Sequence, residues 1–422
     1  MRILFITPTP LWPLTSGGRQ RTLLLHRALR ELGEVEVAML DRQEAGQPVK
    51  ELPPESEGVH VQLRTPPLRR GERGLWRCVR GLRPALVDRL AHNLGRRSVD
   101  YSPDPSVAPA VAELIQRRGY DVVVGRYLLA SVKCGVLGGA VPVVVDVDDV
   151  DFHLYLLRIQ QSPSALARLV LGHQLRQVRT QTKRWLTRAT VALLANPHDQ
   201  SLVAHPRLMV LPNIPFPDQQ CLTEPMPPGA EARRVVLMVG TWNYPANVQG
   251  LDRFLVKSWP AVRERTGDAR LRIVGAGMSD SLRRRWGAIP GVEAVGYVDD
   301  LAAAYRDSGF TIAPIREGGG SKIKVLESLM HGRTMAATPH ALRGFEESLR
   351  PDQGVLVAEG DAELAAACVR LLQEPATSDR LARTGRAQVL ARHSYAAFAA
   401  VVRDAVACAS AGFRPRADRE GL

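Results

Sequence analysis

The residues with the clearest chemical potential lie between Arg316 and Glu327, where the chain reads REGGGSKIKVLE. Gly318, Gly319 and Gly320 have no side chains, so backbone N–H groups there can come close to a diphosphate. A strand ending at Ala313 and a helix opening near Ser321 predict an anion site, because the free N–H groups and positive dipole end of a helix favour negative charge. Lys322 and Lys324 add full charges, and Arg316 and Glu317 stand just upstream. Residues two apart on a helix point to different sides, so both lysines serve one ligand only if Lys322 sits in the irregular first turn. Lys324, Glu327, Ser328 and His331 share one predicted helix face, with Ile323, Leu326 and Met330 on the apolar side. A carboxylate one turn from a phosphate site can accept hydrogen bonds from ribose hydroxyls, and Glu327 has that position. An ordinary glycine turn followed by a surface Lys–Glu pair is the plainer account of the same residues.

Three further constellations carry chemistry. Thr15, Ser16, Gly17 and Gly18 precede Arg19 and Arg21, a second glycine-softened start to a helix, or else a plain strand-to-helix turn. Asp146 and Asp148 face the same way on an extended strand, with Asp149 and Asp151 following, but a carboxylate cluster at a strand end caps a helix or lines a pocket more often than it holds a metal. His153 comes next and could steer a hydroxyl, or pack structurally beside Tyr155. Gly275-Ala276-Gly277 lacks the third glycine of a dinucleotide fingerprint, since Asp280 stands there, and reads as a turn after a strand.

Positioning these residues requires two α/β domains. Short apolar runs alternate with helical patterns in both halves of the 422 residues, the signature of doubly wound parallel sheets. The first half predicts strands at 2–7, 35–40, 121–125, 141–146, 190–194 and 208–211, and the second at 234–239, 271–274, 292–295, 310–313, 334–337 and 354–357. Six prolines fall between Pro212 and Ala232, a linker composition. The expected boundaries are 1–215, a linker at 216–232, a second domain at 233–385, terminal helices at 386–411 and a basic tail at 412–422.

Five scattered cysteines, with no CxxC pair, indicate neither a disulfide framework nor a zinc site and suit a reducing compartment. MRILFITPTPLWP reads as a strand and turn, not a signal peptide, and charges or prolines interrupt every candidate membrane span, so a cytoplasmic protein is expected. The net charge of +13 is concentrated. Arg64 to Arg97 holds ten arginines against Glu72 and Asp88, with Leu75, Trp76 and Leu82 interleaved, and Phe152 to His198 holds seven basic residues and no acid. Such segments suit an anionic membrane surface, which would make the protein peripheral, and a solvated arginine-rich helix face accounts for them equally. Nucleic acid is disfavoured, because no recognisable binding module accompanies the charge.

The Pro314 to Pro339 segment resembles family 4 glycosyltransferases, in the bacterial branch whose second domain carries a Gly-Gly-Gly run, a basic residue and Lys-x-Leu-Glu. VGTWNYPANVQGLDRFL, LRIVGAG, GVEAVGYVDDLAAAY and ARTGRAQVLARHSY resemble other blocks of that family in the same order, while SGGRQR, VVVDVDDVDFH and VLPNIPF are similar but shorter. The likeness spans nearly the whole chain and is weak from Gln43 to Ala108. It implies a GT-B fold, α/β, with two Rossmann-like domains whose parallel sheets face across a cleft and with C-terminal helices packing back towards the first. It implies a nucleotide diphosphate sugar as donor, a saccharide or lipid-linked acceptor, retention of anomeric configuration, and neither cofactor nor bound metal. Carried over, Lys324, Glu327 and His153 would be catalytic. The donor would meet Arg316 to Lys322, Gly240, Thr241, Asn247 and Gly275, and Gly17, Gly18, Arg19 and Asp148 would lie on the acceptor side. Two departures stand out. Gly319 occupies the place of a frequent glutamate, and Thr241 and Ala246 or Asn247 replace an arginine and a lysine, leaving Lys322, Lys324 and Arg316 to supply the charge. A catalytically silent scaffold and a nucleotide-sugar 2-epimerase are the alternatives that share this architecture.

Overall fold

The computed structural model describes residues 1–12, 17–43, 58–64, 101–148, 150, 152–162, 164–215, 225–318, 322–411 and 413, with the backbone alone at 41–43, 58–64, 153, 154, 157 and 161. The chain divides into two compact units, Met1–Leu211 with Ala399–Leu422, and Pro212–Phe398. The division falls where the proline-rich stretch begins, and the last helix, Tyr395–Ser410, belongs from Ala399 onward to the first unit.

In the first unit the described strands are β1 (Arg2–Thr7), β2 (Glu34–Gln43), β3 (Gly58–Arg64), β4 (Val122–Arg126), β5 (Val143–Asp148), β6 (Val191–Leu194) and β7 (Leu208–Val210). They form one parallel sheet in the order β3-β2-β1-β4-β5-β6-β7. The runs VVVGR in β4 and VVVDVD in β5 are buried along their whole length. Strands covered by helices on both faces need such continuous apolar sequence rather than alternation. β3 is absent from the sequence expectation. Its GVHVQLR alternates apolar and polar residues, the pattern of an edge strand, and it borders the arginine-rich stretch.

In the second unit β8 (Val235–Val239), β9 (Arg270–Val274), β10 (Val292–Gly296), β11 (Phe310–Ala313), β12 (Met335–Ala337) and β13 (Val355–Val357) form a parallel sheet in the order β10-β9-β8-β11-β12-β13. Its core buries Trp242, Trp259 and Trp286, with Trp242 and Trp286 edge to face at 5.0 Å. Aromatic pairs prefer that geometry to a face-to-face stack.

Both sheets reverse direction next to their first strand, between β1 and β4 and between β8 and β11. Loops leaving the carboxyl ends of two such strands splay apart, and the crevice they leave is where open α/β sheets bind ligands. Among the described residues no helix is long and apolar enough to cross a membrane.

Candidate functional site

At the second unit's reversal point, Gly240 and Thr241 leave β8 while Pro314 to Gly318 leave β11. The turn after β9 presses against the first of these. Gly275 has φ +133°, and a Cβ there would lie 1.8 Å from the Gly240 carbonyl oxygen, so only glycine fits. Trp242 N–H bonds the Ala276 carbonyl (2.8 Å) and its indole N–H the Val274 carbonyl (3.2 Å), which fixes the loop that leads to the helix Pro245–Lys257. Pro245 starts that helix at a position where a missing N–H costs nothing.

The predicted lysine helix spans Ile323–Met330, two residues later than the Ser321 start read from sequence. Lys322 is therefore its N-cap, outside the regular turns, and its side chain offers no cap bond to the backbone. This resolves the spacing problem, because Lys322 and Lys324 lie close enough for the charge of one to lower the pKa of the other. Lys324 Nζ donates to Asn247 Oδ1 (2.7 Å), and Asn247 Nδ2 donates to the Thr241 carbonyl (2.9 Å). Lys324, Asn247 and Thr241 thus meet at one point between the ends of β8 and β11. Burial, then Lys322, push the Lys324 ammonium down to about 7, against the opposing charge of Glu327. A partly desolvated ammonium beside a second lysine is an unfavourable arrangement that an anion would relieve.

Glu327 is half-buried and accepts a hydrogen bond from the Tyr305 hydroxyl (2.9 Å). Burial raises its pKa, against the Tyr305 bond and Lys324. Gly318 has φ +97°, and a Cβ there would meet the Tyr244 hydroxyl at 2.5 Å, so the loop after β11 passes close over the first turn of the helix Pro245–Lys257. The Gly318 carbonyl accepts from Lys322 Nζ (3.3 Å) and meets His340 Nε2 (2.9 Å). Glu317 is half-buried beside them, and its backbone is a second hydrogen-bond partner of His340.

Other predicted residues are placed differently. Arg316 NH2 binds Asp361 (3.1 Å) and its NH1 the Glu359 carbonyl, and Asp361 is shared with Arg253 (2.9 Å). Its charge is already matched within the fold. Ser328 does not face outwards with Lys324 as the helical wheel suggests. It is fully buried, bonded to Thr311 Oγ1 (2.6 Å) and to the Arg333 carbonyl (2.8 Å). His331 stacks flat on Tyr305 at 4.6 Å between centroids. Gly319, Gly320 and Ser321 lie outside the described residues.

The first unit gathers a second charged cluster at its own reversal point. Arg21, buried in the helix Gly17–Arg30, donates through Nε (3.0 Å) and NH2 (2.6 Å) to the two oxygens of Asp146, and through NH1 to the Leu211 carbonyl (2.8 Å). Arg126, the last residue of β4, bridges Asp146 (2.7 Å) and Asp148 (2.8 Å). Burial works against both guanidinium groups, yet Asp146 and Asp148 hold them above their ordinary pKa. A register shift in β5 between Asp146 and Asp148, with Asp148 at φ +63°, lets both carboxylates reach Arg126. The Arg126 guanidinium also covers the Tyr127 ring at 4.1 Å. Gly17, Gly18 and Arg19 form the first helical turn rather than a loop, and a Cβ on Gly18 would stand 3.3 Å from the Tyr127 hydroxyl. Among the described residues no group of three or more His, Cys, Asp or Glu could hold a metal ion. Thr15, Ser16, Asp149 and Asp151, and the His153 side chain, lie outside what is described, as does the stretch from Thr65 to Arg97.

Sequence reasoning missed Arg126, Tyr305 and His340. Arg126 had a signal, a charge that ends a run of three valines and a glycine at the carboxyl end of a buried strand. Tyr305 and His340 had none, since each reaches its partner, 22 positions away, from a different element.

Residues 233–374 match the family model described as Glycosyl transferases group 1. This stretch is a glycosyltransferase domain. Solved structures with the same fold include sucrose-phosphate synthase from Thermosynechococcus elongatus, with TM-score 0.63, 18% identity and coverage of 96% of this chain and 97% of that one. WaaG, a glycosyltransferase involved in lipopolysaccharide biosynthesis, gives TM-score 0.60 at 15% identity over 97% of this chain and all (100%) of its own. Anabaena HepE in complex with UDP and glucose gives TM-score 0.59 at 12% identity over 96% and 99%. No curated protein matches the sequence. The two parallel sheets and these neighbours make the enzyme's fold GT-B.

Proposed function

We propose that this glycosyltransferase moves a sugar from a nucleoside diphosphate sugar to a hydroxyl of a saccharide or lipid-linked acceptor. The reading includes retention of configuration, a role in cell-surface polysaccharide or glycolipid synthesis, and a cytoplasmic, peripheral location. The observation that carries donor binding is the ammonium of Lys324, half-buried beside Lys322 and bonded to Asn247 at the reversal point of the second sheet. The HepE neighbour, whose structures contain UDP or UDP-glucose, supports the same ligand class.

In this reading Lys324, Lys322 and the backbone around Gly318 hold the diphosphate, and Glu327 accepts from the ribose. The bond from the anomeric carbon to the β-phosphate oxygen breaks as the acceptor oxygen takes its place, and the acceptor proton passes to the departing phosphate. No protein nucleophile is required. The two lysines stabilise the charge that grows on the leaving group, an interaction stronger in the transition state than in the ground state. With that charge met by side chains, the reaction needs neither a metal nor an organic cofactor. Asp148 and His153 belong to the acceptor side, His153 orienting the hydroxyl.

The test is nucleotide release from a panel of UDP, GDP and dTDP sugars, with and without lipid-linked sugars. Acceptor-dependent release by the wild type, lost in Lys324→Ala, supports the proposal. Release of an altered nucleotide sugar without acceptor would make the enzyme an epimerase, and failure of every nucleotide to bind would leave a scaffold.

A further inference from the structure

We infer that Tyr305 is a positioning residue for the nucleoside, acting through Glu327 to give the enzyme its grip on the ribose hydroxyls. The inference rests on the donor-binding reading of Glu327 and extends it to a residue that does not itself reach ligand.

Tyr305 lies in the last turn of the helix Leu301–Arg306, outside both loops that form the site, and is 1% exposed. Its hydroxyl donates to Glu327 Oε2 at 2.9 Å. That bond takes one of the roughly four acceptor sites of a carboxylate, which suits a group meant to accept hydrogen bonds from hydroxyls as well. The bond also favours the charged form of Glu327 against the burial that raises its pKa, and Lys324 acts in the same direction. Without Tyr305 a partly buried carboxyl one turn along the lysine helix would lose a support for its charge.

The tyrosine is itself held at three points. The His331 ring lies parallel to it at 4.6 Å and 10°. Arg333 Nε and Ser308 Oγ both donate to its carbonyl, at 2.9 and 2.8 Å. An orienting group is useful only if its own rotamer is locked; the His331 stack and burial hold the ring, and the carbonyl bonds fix the backbone that carries it. Arg333 is 2% exposed and spreads its other donors over the carbonyls of Arg306, Gly332 and Met226, so the tyrosine's backbone is tied to the segments on either side.

The experiment measures binding of UDP and GDP, and of their 2′,3′-dideoxy counterparts, to the wild type, Tyr305→Phe, Glu327→Gln and the double variant by calorimetry. Phenylalanine keeps the ring and its stacking on His331, and thermal unfolding of each variant checks the fold. Wild type should prefer the ribose form. Tyr305→Phe should weaken that form roughly three- to tenfold, the worth of one hydrogen bond, and leave the dideoxy form unchanged. The double variant should bind as Glu327→Gln does, because the two residues act as one unit. Equal loss for both nucleotide forms, no loss for either, or additive losses in the double variant would overturn the role of Tyr305. A wild type that binds neither nucleotide, or shows no ribose preference, would overturn the reading beneath it as well.

Discussion

The two reversal points handle charge in opposite ways. In the first unit two arginines meet two aspartates, with side chains of Arg21, Arg126 and Asp146 no more than 2% exposed, so the cluster closes on itself. In the second unit Lys324 bonds a neutral amide, and burial and a second lysine outweigh Glu327, so its pKa falls to about 7. A buried ion pair whose partners are matched resists change, whereas two neighbouring lysines offset only in part by Glu327 carry an unfavourable energy that a bound anion or loss of a proton relieves. The same sheet topology therefore builds a matched charge cluster in one unit and an incompletely matched pair of lysines in the other. Asp148, with a side chain 13% exposed, is the edge at which the cluster opens to its surroundings.

Removing one member of the cluster should have the largest effect on the fold. Arg126→Ala leaves Asp146 and Asp148 partly uncompensated and should cost about 3–5 kcal/mol of stability in urea unfolding. A loss below 1 kcal/mol would mean that the cluster is not a closed unit. Lys324→Ala should do the reverse, lowering turnover by about 10²–10³ while urea unfolding stays close to wild type. A destabilised Lys324→Ala with normal turnover would erase the contrast.

Within the cluster, Asp146→Asn should act on stability and Asp148→Asn on turnover, compared by unfolding and by rate on the same preparations. The pH dependence separates the units again. Lys324 is charged below about 7 and neutral above it, so affinity for a nucleotide sugar should fall as pH rises from 7 to 9, by up to about tenfold per unit. Calorimetry on Lys324→Ala should give a flatter profile, and an equal slope in both proteins would assign the titration elsewhere.

The smallest effect concerns the basic surface of the first unit. Helix Ala165–Leu186 exposes Leu166 and Leu169, at 60% and 69%, within a stretch that has seven basic residues and no acid. Sedimentation with anionic vesicles should exceed that with neutral ones and weaken at physiological salt, each basic residue near the surface being worth about 1 kcal/mol. Leu166→Glu with Leu169→Glu should reduce it further. Equal sedimentation with both vesicle types would remove the membrane surface from the proposal.

Much of this contrast was legible in sequence, unevenly. Continuous valine runs announced β4 and β5, and the amphipathic pattern after Ser321 announced the helix Ile323–Met330 that carries Lys324 and Glu327. The edge strand β3 was missed because its short alternating pattern buries too little to stand out beside so many arginines. Ser328 was misplaced because a helical wheel sorts residues by angle and does not know that Thr311 and Arg333 wait on the core side.

The sequence by itself determined the two α/β halves and the types of residue at each loop, because apolar periodicity and glycine or proline chemistry act over a few residues. Only the tertiary structure decided which charges are matched. Arg21 lies 125 positions from Asp146, and Lys324 lies 77 from Asn247, separations that carry no local pattern. Sheet order brings those pairs together. Which partners a charge meets there fixes whether its pKa is raised, as for Arg126, or lowered, as for Lys324.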